Sequence, residues 1–168
     1  MFRLASWLLV ALVLGGLAFI GMTATQLPPI VATHFGAGGA ANGWMSRDGY
    51  TTFALLLTVL LPLVVFASVG WLPYRFERFV NLPHRDVWLG PAHRAETLAW
   101  LRAFGVGFAL LMALLAIGLH AAILAAHAQS PPQLHEPAFI AGLVAFVAAV
   151  VGAVIAMQMR FRRLPDRR

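Results

Sequence analysis

The sequence contains no cysteine and few charged residues. Without cysteine among its 168 residues, the chain has no disulfide, no thiolate metal ligand and no thiol nucleophile. Charged residues make up 11% of the sequence, whereas a soluble domain carries about 25%. Apolar residues reach 61%. This composition excludes a water-covered globular domain and indicates a surface that faces lipid.

The residue patterns of several common enzyme classes are also missing. The sequence has no glycine-rich phosphate loop, no HExxH motif and no distinctive serine–histidine–acid spacing. Its long apolar segments hold no acidic residue, which argues against a proton-conducting path. We therefore predict a protein that is not an enzyme.

Four apolar segments are long enough to cross a bilayer, which takes about 20 helical residues. They predict an all-α integral membrane protein, a four-helix bundle formed by one domain over residues 1–168. The predicted helices lie at about residues 4–24, 51–72, 91–126 and 138–158. An outer loop at about 25–50, a cytoplasmic elbow at about 73–90 and a basic tail at 159–168 complete the prediction. The first segment is longer than the apolar part of a signal peptide, so we expect an uncleaved helix.

The arginines predict the orientation. One of them, Arg47, falls in the outer loop, and the other eleven fall on the opposite side. Because basic residues favour the cytoplasmic side, we expect both termini and the elbow in the cytoplasm. The net charge of +6 then reflects topology and anionic lipids, with no nucleic acid as partner. The eleven are Arg3, Arg75, Arg78, Arg85, Arg94, Arg102, Arg160, Arg162, Arg163, Arg167 and Arg168.

The long extracytoplasmic loop is predicted to be ordered. Asn42-Gly43 is typical of a type I′ turn, and the glycines of THFGAGGAANGW permit positive φ. Ser46 or Asp48 can cap the second helix. Trp44 can anchor the loop at the membrane interface.

Residues 27–44, LPPIVATHFGAGGAANGW, resemble the outer-loop signature of an uncharacterised bacterial membrane family with a domain of unknown function. The same domain occurs in SdpI-type immunity proteins, which protect bacteria from a secreted toxin and relay its presence to a repressor. The resemblance implies a protein of the bacterial cytoplasmic membrane with a sensing or immunity role. The matching positions are Leu27, Pro28, His34, Phe35, Gly39, Asn42, Gly43 and Trp44.

We expect an extracytoplasmic peptide or envelope signal to bind the outer loop. The candidate contacts are His34, Phe35, Asn42, Trp44 and Asp48. Two interpretations of His34 are open. It is a ligand contact or proton-sensitive latch, because imidazole changes charge near neutral pH, or it organises a turn.

Histidines on the outer side suggest an alternative, a metal-binding membrane protein. His34, His120, His127 and His135 fall there, and imidazole is a ligand for zinc and copper. The competing interpretation is four interfacial histidines that are hydrogen-bonded to backbone or water.

The cytoplasmic elbow is a candidate docking surface for a cytoplasmic regulator or membrane partner. Its candidate contacts are His84, Arg85, Asp86, Trp88 and His93, and the repressor relay of the resembling family implies such a role. The alternative is a salt-bridged elbow, in which Asp86 and Glu96 pair with Arg85, Arg94 or Arg102.

Small residues recur every four positions in the fourth helix. Such spacing lets helix backbones approach closely in lipid. It predicts packing against a neighbouring helix of the same chain or, alternatively, the interface of an accessory subunit in a membrane complex. The residues are Ala141, Ala145, Ala149 and Ala153, with Ala148, Gly152 and Ala156 in an adjacent row.

Overall fold

The apolar segments form long helices, as predicted. The computed structural model describes residues 2–164, so Arg167 and Arg168 of the predicted tail lie outside the described residues. Within residues 2–164, four helical segments are long and apolar enough to cross a membrane, which confirms the four-helix membrane fold. These spans are Phe2–Gln26, Arg47–Arg75, Arg94–His127 and Glu136–Arg162.

The regular elements follow one another simply along the chain. Two antiparallel strands form a hairpin between the first two long helices, and two short helices lie in and before the elbow. The elements are α1 (Phe2–Thr23), β1 (Ile30–Phe35), β2 (Ala41–Ser46), α2 (Arg47–Val65), α3 (Leu72–Arg75), α4 (Arg85–Trp88), α5 (Arg94–His127) and α6 (Glu136–Arg162).

The bundle has two distinct ends. The hairpin end carries the β-hairpin with the helix termini nearest to it: Thr23 of α1, Arg47 of α2, His127 of α5 and Glu136 of α6. The elbow end carries residues 76–93 and the opposite helix termini.

The second membrane span, Arg47–Arg75, begins earlier and ends later than the predicted residues 51–72, and α2 forms its first part. Ser46 is its N-cap, and the Ser46 hydroxyl accepts a hydrogen bond from the Gly49 N–H at 3.2 Å. The helix stays α-helical through Pro62 to Val65 and then becomes π-helical over Phe66–Trp71. The change of geometry therefore comes one turn after Pro62, although proline removes a backbone donor at its own position.

Helix α5 is the centre of the bundle and contacts α1, α2 and α3. Small buried residues on its inner face allow this, including Gly105, Ala109 and Ala113. At Gly105, an added Cβ would lie 2.5 Å from the Cα of Gly70 in the π-helical segment. The two backbones are therefore in direct contact, and glycine is required at this crossing.

Helix α6 lies at the periphery. Phe161, near its elbow end, is its one buried residue within the described part of the chain. The predicted close packing of its small residues is wrong: Ala145 and Ala149 are exposed and line a groove of about 490 Å³ between α5 and α6. Leucines of α5, among them Leu111 and Leu115, form the other wall and keep the two backbones apart. The helix also continues to Arg162, through the first part of the predicted tail.

Candidate functional site

The β-hairpin is fastened to the helices at both of its ends. Near its base, the Ala32 N–H donates to Nε2 of His127 at 3.0 Å, and the Arg47 guanidinium donates to the Leu27 carbonyl at 3.1 Å. At its tip, the Gly38 N–H donates to the Glu136 carboxylate at 3.0 Å. The predicted order of this loop thus has a physical basis in contacts with α5 and the start of α6.

The turn lies at the tip rather than at Asn42-Gly43. Gly38 and Gly39 both have φ of +78°, which favours glycine, whereas Asn42 and Gly43 are part of strand β2. At Gly39, an added Cβ would lie 2.2 Å from the Leu134 carbonyl oxygen. The prediction of a type I′ turn at Asn42-Gly43 is therefore wrong. The chain turns at Gly38-Gly39 instead, where glycine allows close contact with residues 133–134.

Asn42 and Gly43 instead accommodate His34. The strand register is irregular on both sides of His34, which leaves Asn42 as an extra residue in β2. The Asn42 side-chain oxygen accepts a hydrogen bond from Nδ1 of His34. An added Cβ on Gly43 would lie 2.9 Å from the Cβ of His34, so glycine gives the imidazole its place.

Beneath the hairpin lies a cavity of about 580 Å³. This volume falls in the range of small-molecule sites, about 300–1,000 Å³. Its walls come from the hairpin and from α2, α5 and α6, and they are mainly apolar. The lining residues are Thr33, His34, Phe35, Met45, Tyr50, Phe53, Ala54, Leu57, Ala116, Leu119, His120, Ala122, Ile123, Leu134 and Phe139.

The polar part of the cavity wall centres on His120. This side chain is 1% exposed, and both of its ring nitrogens have partners. The Tyr50 hydroxyl lies 2.8 Å from Nδ1, and the Thr23 hydroxyl lies 2.9 Å from Nε2. Because Thr23 donates its only hydrogen to the Phe19 carbonyl at 2.6 Å, it must accept from Nε2–H. In the neutral imidazole, Nδ1 then accepts from the Tyr50 hydroxyl.

His127 has the opposite tautomer. Its Nδ1 lies 2.9 Å from the Ile123 carbonyl, to which it donates, so Nε2 is free to accept from Ala32. The last turn of α5 thereby holds one edge of β1.

The residues predicted to contact a ligand occupy different positions. His34 and Phe35 line the cavity, and Asn42 positions His34. Trp44 projects from β2 and is 56% exposed. Asp48 is exposed in the first turn of α2, where its charge complements the helix dipole, and it is not among the lining residues.

Comparison with known proteins adds one finding. Residues 8–65 match the family described as Domain of unknown function (DUF1648). The match covers α1, the hairpin and α2, which supply Thr23, His34 and Tyr50. Helices α5 and α6, with His120 and His127, lie beyond it. No curated protein and no solved structure matches the chain.

Two residues of the site were missed by the sequence interpretation. Tyr50 is assigned no role by sequence analysis, yet it is buried and stacks on His120 with ring centroids 5.7 Å apart. Thr23 was given no role. The sequence did contain a signal for both residues. A histidine inside an apolar helix needs polar partners, and Thr23 and Tyr50 lie at the same depth in the bundle as His120.

The four outer histidines do not form one site. His120 and His127 make the contacts above, His34 binds Asn42, and His135 caps α6 by accepting from the Ala138 N–H at 3.3 Å. In residues 2–164, no group of three histidine, aspartate or glutamate side chains is placed to hold a metal ion. His127 and His135 are hydrogen-bonded to backbone, as the competing interpretation expects, whereas His34 and His120 are bonded to side chains. Binding of zinc or copper stays an untested prediction.

The elbow packs against the C-terminal end of α6. Trp88 is buried, and its indole N–H donates to the Phe161 carbonyl at 3.2 Å, so this residue is not available to a partner. The His93 ring also packs against Trp88, 5.9 Å away between centroids. His84, Arg85 and Asp86 are exposed.

The charge pairing in the elbow differs in part from the predicted one. Asp86 lies 3.8 Å from Arg85, as expected, whereas Glu96 pairs with Arg160 of α6 at 2.7 Å. Arg94 pairs with Glu77. Arg102 instead stacks over the rings of Phe2, at 4.1 Å, and Tyr74, at 4.8 Å. Sequence spacing could not reveal the partners of Glu96, Arg94 and Arg102, because each partner comes from a separate element.

Proposed function

We propose that this protein is a non-enzymatic receptor of the bacterial cytoplasmic membrane. It binds an extracytoplasmic peptide or envelope component at the hairpin end and acts as a sensor or immunity protein. The observation that carries the proposal is the cavity of about 580 Å³ beneath the hairpin. A ligand there touches the hairpin and the membrane helices together, so its binding changes how they pack.

The distribution of arginines supports this orientation. Arg85, Arg94 and Arg160 lie at the elbow end, and Arg47 lies at the hairpin end. By the positive-inside tendency, the hairpin then faces outward. The resemblance to SdpI-type proteins supports a sensing or immunity role, since it falls on residues 27–44, which include the hairpin.

Helix α5 provides a path from ligand to cytoplasm. It runs unbroken from Arg94 to His127, a length of about 51 Å. His120 and His127 join its outer end to α1, α2 and β1, and Thr97 joins its inner end to the elbow through the Trp88 carbonyl at 2.9 Å. A displacement of the hairpin is thereby passed to the exposed elbow residues His84, Arg85 and Asp86, where a cytoplasmic regulator docks.

The test is a deletion strain with matched variants. Loss of the gene is expected to raise sensitivity to a secreted peptide or to envelope stress. Wild type and Ala121→Phe restore resistance, because Ala121 is exposed and does not line the cavity. Ala122→Phe fills the cavity from the adjacent position and does not restore it. Unchanged sensitivity of the deletion strain across secreted peptides and envelope stresses would contradict the proposal.

A second candidate, an accessory subunit of a membrane complex, is favoured by the exposed small residues of α6. Ala141, Ala145 and Ala149 have no helix packed closely on them within the described residues. Mass spectrometry after gentle detergent extraction distinguishes the two, because only the subunit role requires a stoichiometric foreign partner.

A further inference from the structure

Strand β2 has a free edge, which the register locates. The Arg47 N–H donates to the Pro29 carbonyl at 2.9 Å, and Ile30 pairs with Ser46, Val31 with Met45 and Ala32 with Trp44. Hydrogen-bonded and non-hydrogen-bonded pairs alternate in an antiparallel ladder. Ala32 and Trp44 are therefore a non-hydrogen-bonded pair, and their N–H and C=O groups point away from the partner strand.

The outward main-chain groups of the two hairpin edges differ in their hydrogen bonds. On the β1 side, the outward N–H of Ala32 is bonded to His127 of α5. On the β2 side, no loop, helix or side chain of residues 2–164 makes a hydrogen bond with the main-chain groups of Trp44. The β1 edge is thus closed by a membrane helix at Ala32. Ala40, just before β2, is bridged to Gln133, whereas Trp44 presents an unpaired donor and acceptor within the described residues.

Around Trp44, the open edge lacks the side chains that discourage the addition of another strand. Natural edge strands are protected by lysine, proline, inward-pointing charge or a β-bulge. Strand β2 reads Ala-Asn-Gly-Trp-Met-Ser, without lysine, proline or charge, and its bulge lies at Asn42, on the tip side of Trp44. Its Trp44 side chain and that of Ile30 on β1 are both more than half exposed, at 56% and 59%. This edge offers main-chain pairing and apolar contact together.

The edge also adjoins the cavity. Met45 lines the cavity, whereas the neighbouring Trp44 does not, as expected for side chains that alternate between the two faces of a strand. A strand paired with β2 would point every second side chain to the Met45 face. Recognition by strand addition works in this way, with affinity from main-chain bonds and specificity from a pocket for alternate side chains.

We propose that an extended peptide adds as a third strand to the free edge of β2, through the N–H and C=O of Trp44, and places an apolar side chain beside Met45 in the cavity. This inference rests on the proposed function and names its ligand class. The short edge suits a peptide better than a second folded copy, because stable interfaces between folded chains bury about 1,200 Å² or more.

The binding experiment uses the full chain in lipid nanodiscs and a synthetic peptide of alternating leucine and threonine as probe. The peptide is expected to bind and to slow hydrogen exchange of the Trp44 amide. A matched peptide with N-methylated alternate amides is expected to bind about tenfold more weakly or worse, because it keeps the side chains and loses the donors. Equal binding of the two peptides, or unchanged exchange at Trp44, overturns the inference.

Two variants at one position separate the main chain from the side chain. Trp44→Pro removes an N–H that the hairpin itself does not use, and proline is tolerated on such an edge. Trp44→Ala keeps the donor and, like the proline variant, lacks the aromatic ring. Loss of binding is expected for the first variant only; retention by Trp44→Pro contradicts the proposal. The exchange measurement on the wild-type chain decides the matter if Trp44→Pro does not fold.

Two further outcomes locate a failure. If the wild-type chain is a dimer by sedimentation and Trp44→Pro is a monomer, the edge binds a second copy and the peptide inference is wrong. If Trp44→Pro fully restores resistance to the deletion strain, the inference fails while the receptor function stands. A deletion strain without any phenotype removes the function itself.

Discussion

Helices α5 and α6 look alike in sequence but have different environments. Both are long apolar segments rich in alanine and glycine, and both are long enough to cross a membrane. Yet α5 buries ten residues along its length, whereas α6 buries only Phe161 within the described chain. Small residues permit close packing in lipid. On α6, however, small residues alone do not bring a neighbouring helix close to the face that carries them.

Bulky neighbours decide the difference. On α5, Gly105 meets Gly70, so two small positions face each other. On α6, the small residues Ala145 and Ala149 face Leu111 and Leu115 across the groove. An added Cβ at Gly152 of α6 would have no other atom within 4 Å. Close packing requires small residues on both partners at the same depth.

Phe161→Ala is expected to have the largest effect, because this residue is the main attachment of α6. Its ring is fully buried, with the rings of Trp88 and Trp100 at 5.2 and 5.1 Å. The free energy of unfolding should fall by about 3–5 kcal/mol, measured in mixed micelles. Val144→Ala, on the exposed part of α6, is the control and should change it little. Equal effects would show that α6 has further attachments.

Gly105→Leu and Gly152→Leu test the comparison most directly. A side chain at Gly105 collides with the backbone of Gly70, which should lower stability by about 1–3 kcal/mol or more. The same change at Gly152 meets open space and should stay within about 0.5 kcal/mol. Thermal unfolding in detergent measures both. A larger loss at Gly152 would mean that another helix covers this face.

His120→Leu should cost about 1–3 kcal/mol, because it leaves the Tyr50 hydroxyl without its acceptor and Thr23 without its donor. Combining it with Tyr50→Phe should cost less than the sum of the single changes, since the unpaired hydroxyl is then absent. Unfolding in mixed micelles gives all three values. His135→Leu on α6 is the matched control, with a smaller expected loss, and strict additivity would argue against the hydrogen bond.

His127→Phe is expected to have the smallest effect, at the low end of about 1–3 kcal/mol, because it leaves one buried donor, the Ala32 N–H, without its acceptor, whereas His120→Leu leaves two groups unpaired. Hydrogen exchange at Ala32 should become faster, while exchange at Trp44, on the opposite edge, should be unchanged. An unaltered rate at Ala32 would show that something other than His127 protects this edge.

Sequence reasoning was most successful for the helices and least successful for their contacts. Apolar length placed the four spans within a few residues, and Ser46 was named as a candidate cap. The turn was misplaced, because Asn42-Gly43 has a strong local preference that the contact between Gly39 and Leu134 overrides. Within the candidate site, His34 and Phe35 were expected and line the cavity, whereas the partnership of Tyr50 with His120 was not foreseen.

Hydropathy and residue type alone predict four membrane-spanning segments and an ordered segment between the first two. Hydrophobicity and turn chemistry are local properties, so they can be read along the chain. The packing of the helices sets the contacts of His120 with Thr23 and Tyr50 and the peripheral place of α6. It also closes β1 at Ala32 through α5 and leaves β2 unpaired at Trp44. These contacts depend on which side chains of different helices lie at the same depth in the bundle. The spacing of residues along one helix does not contain that information.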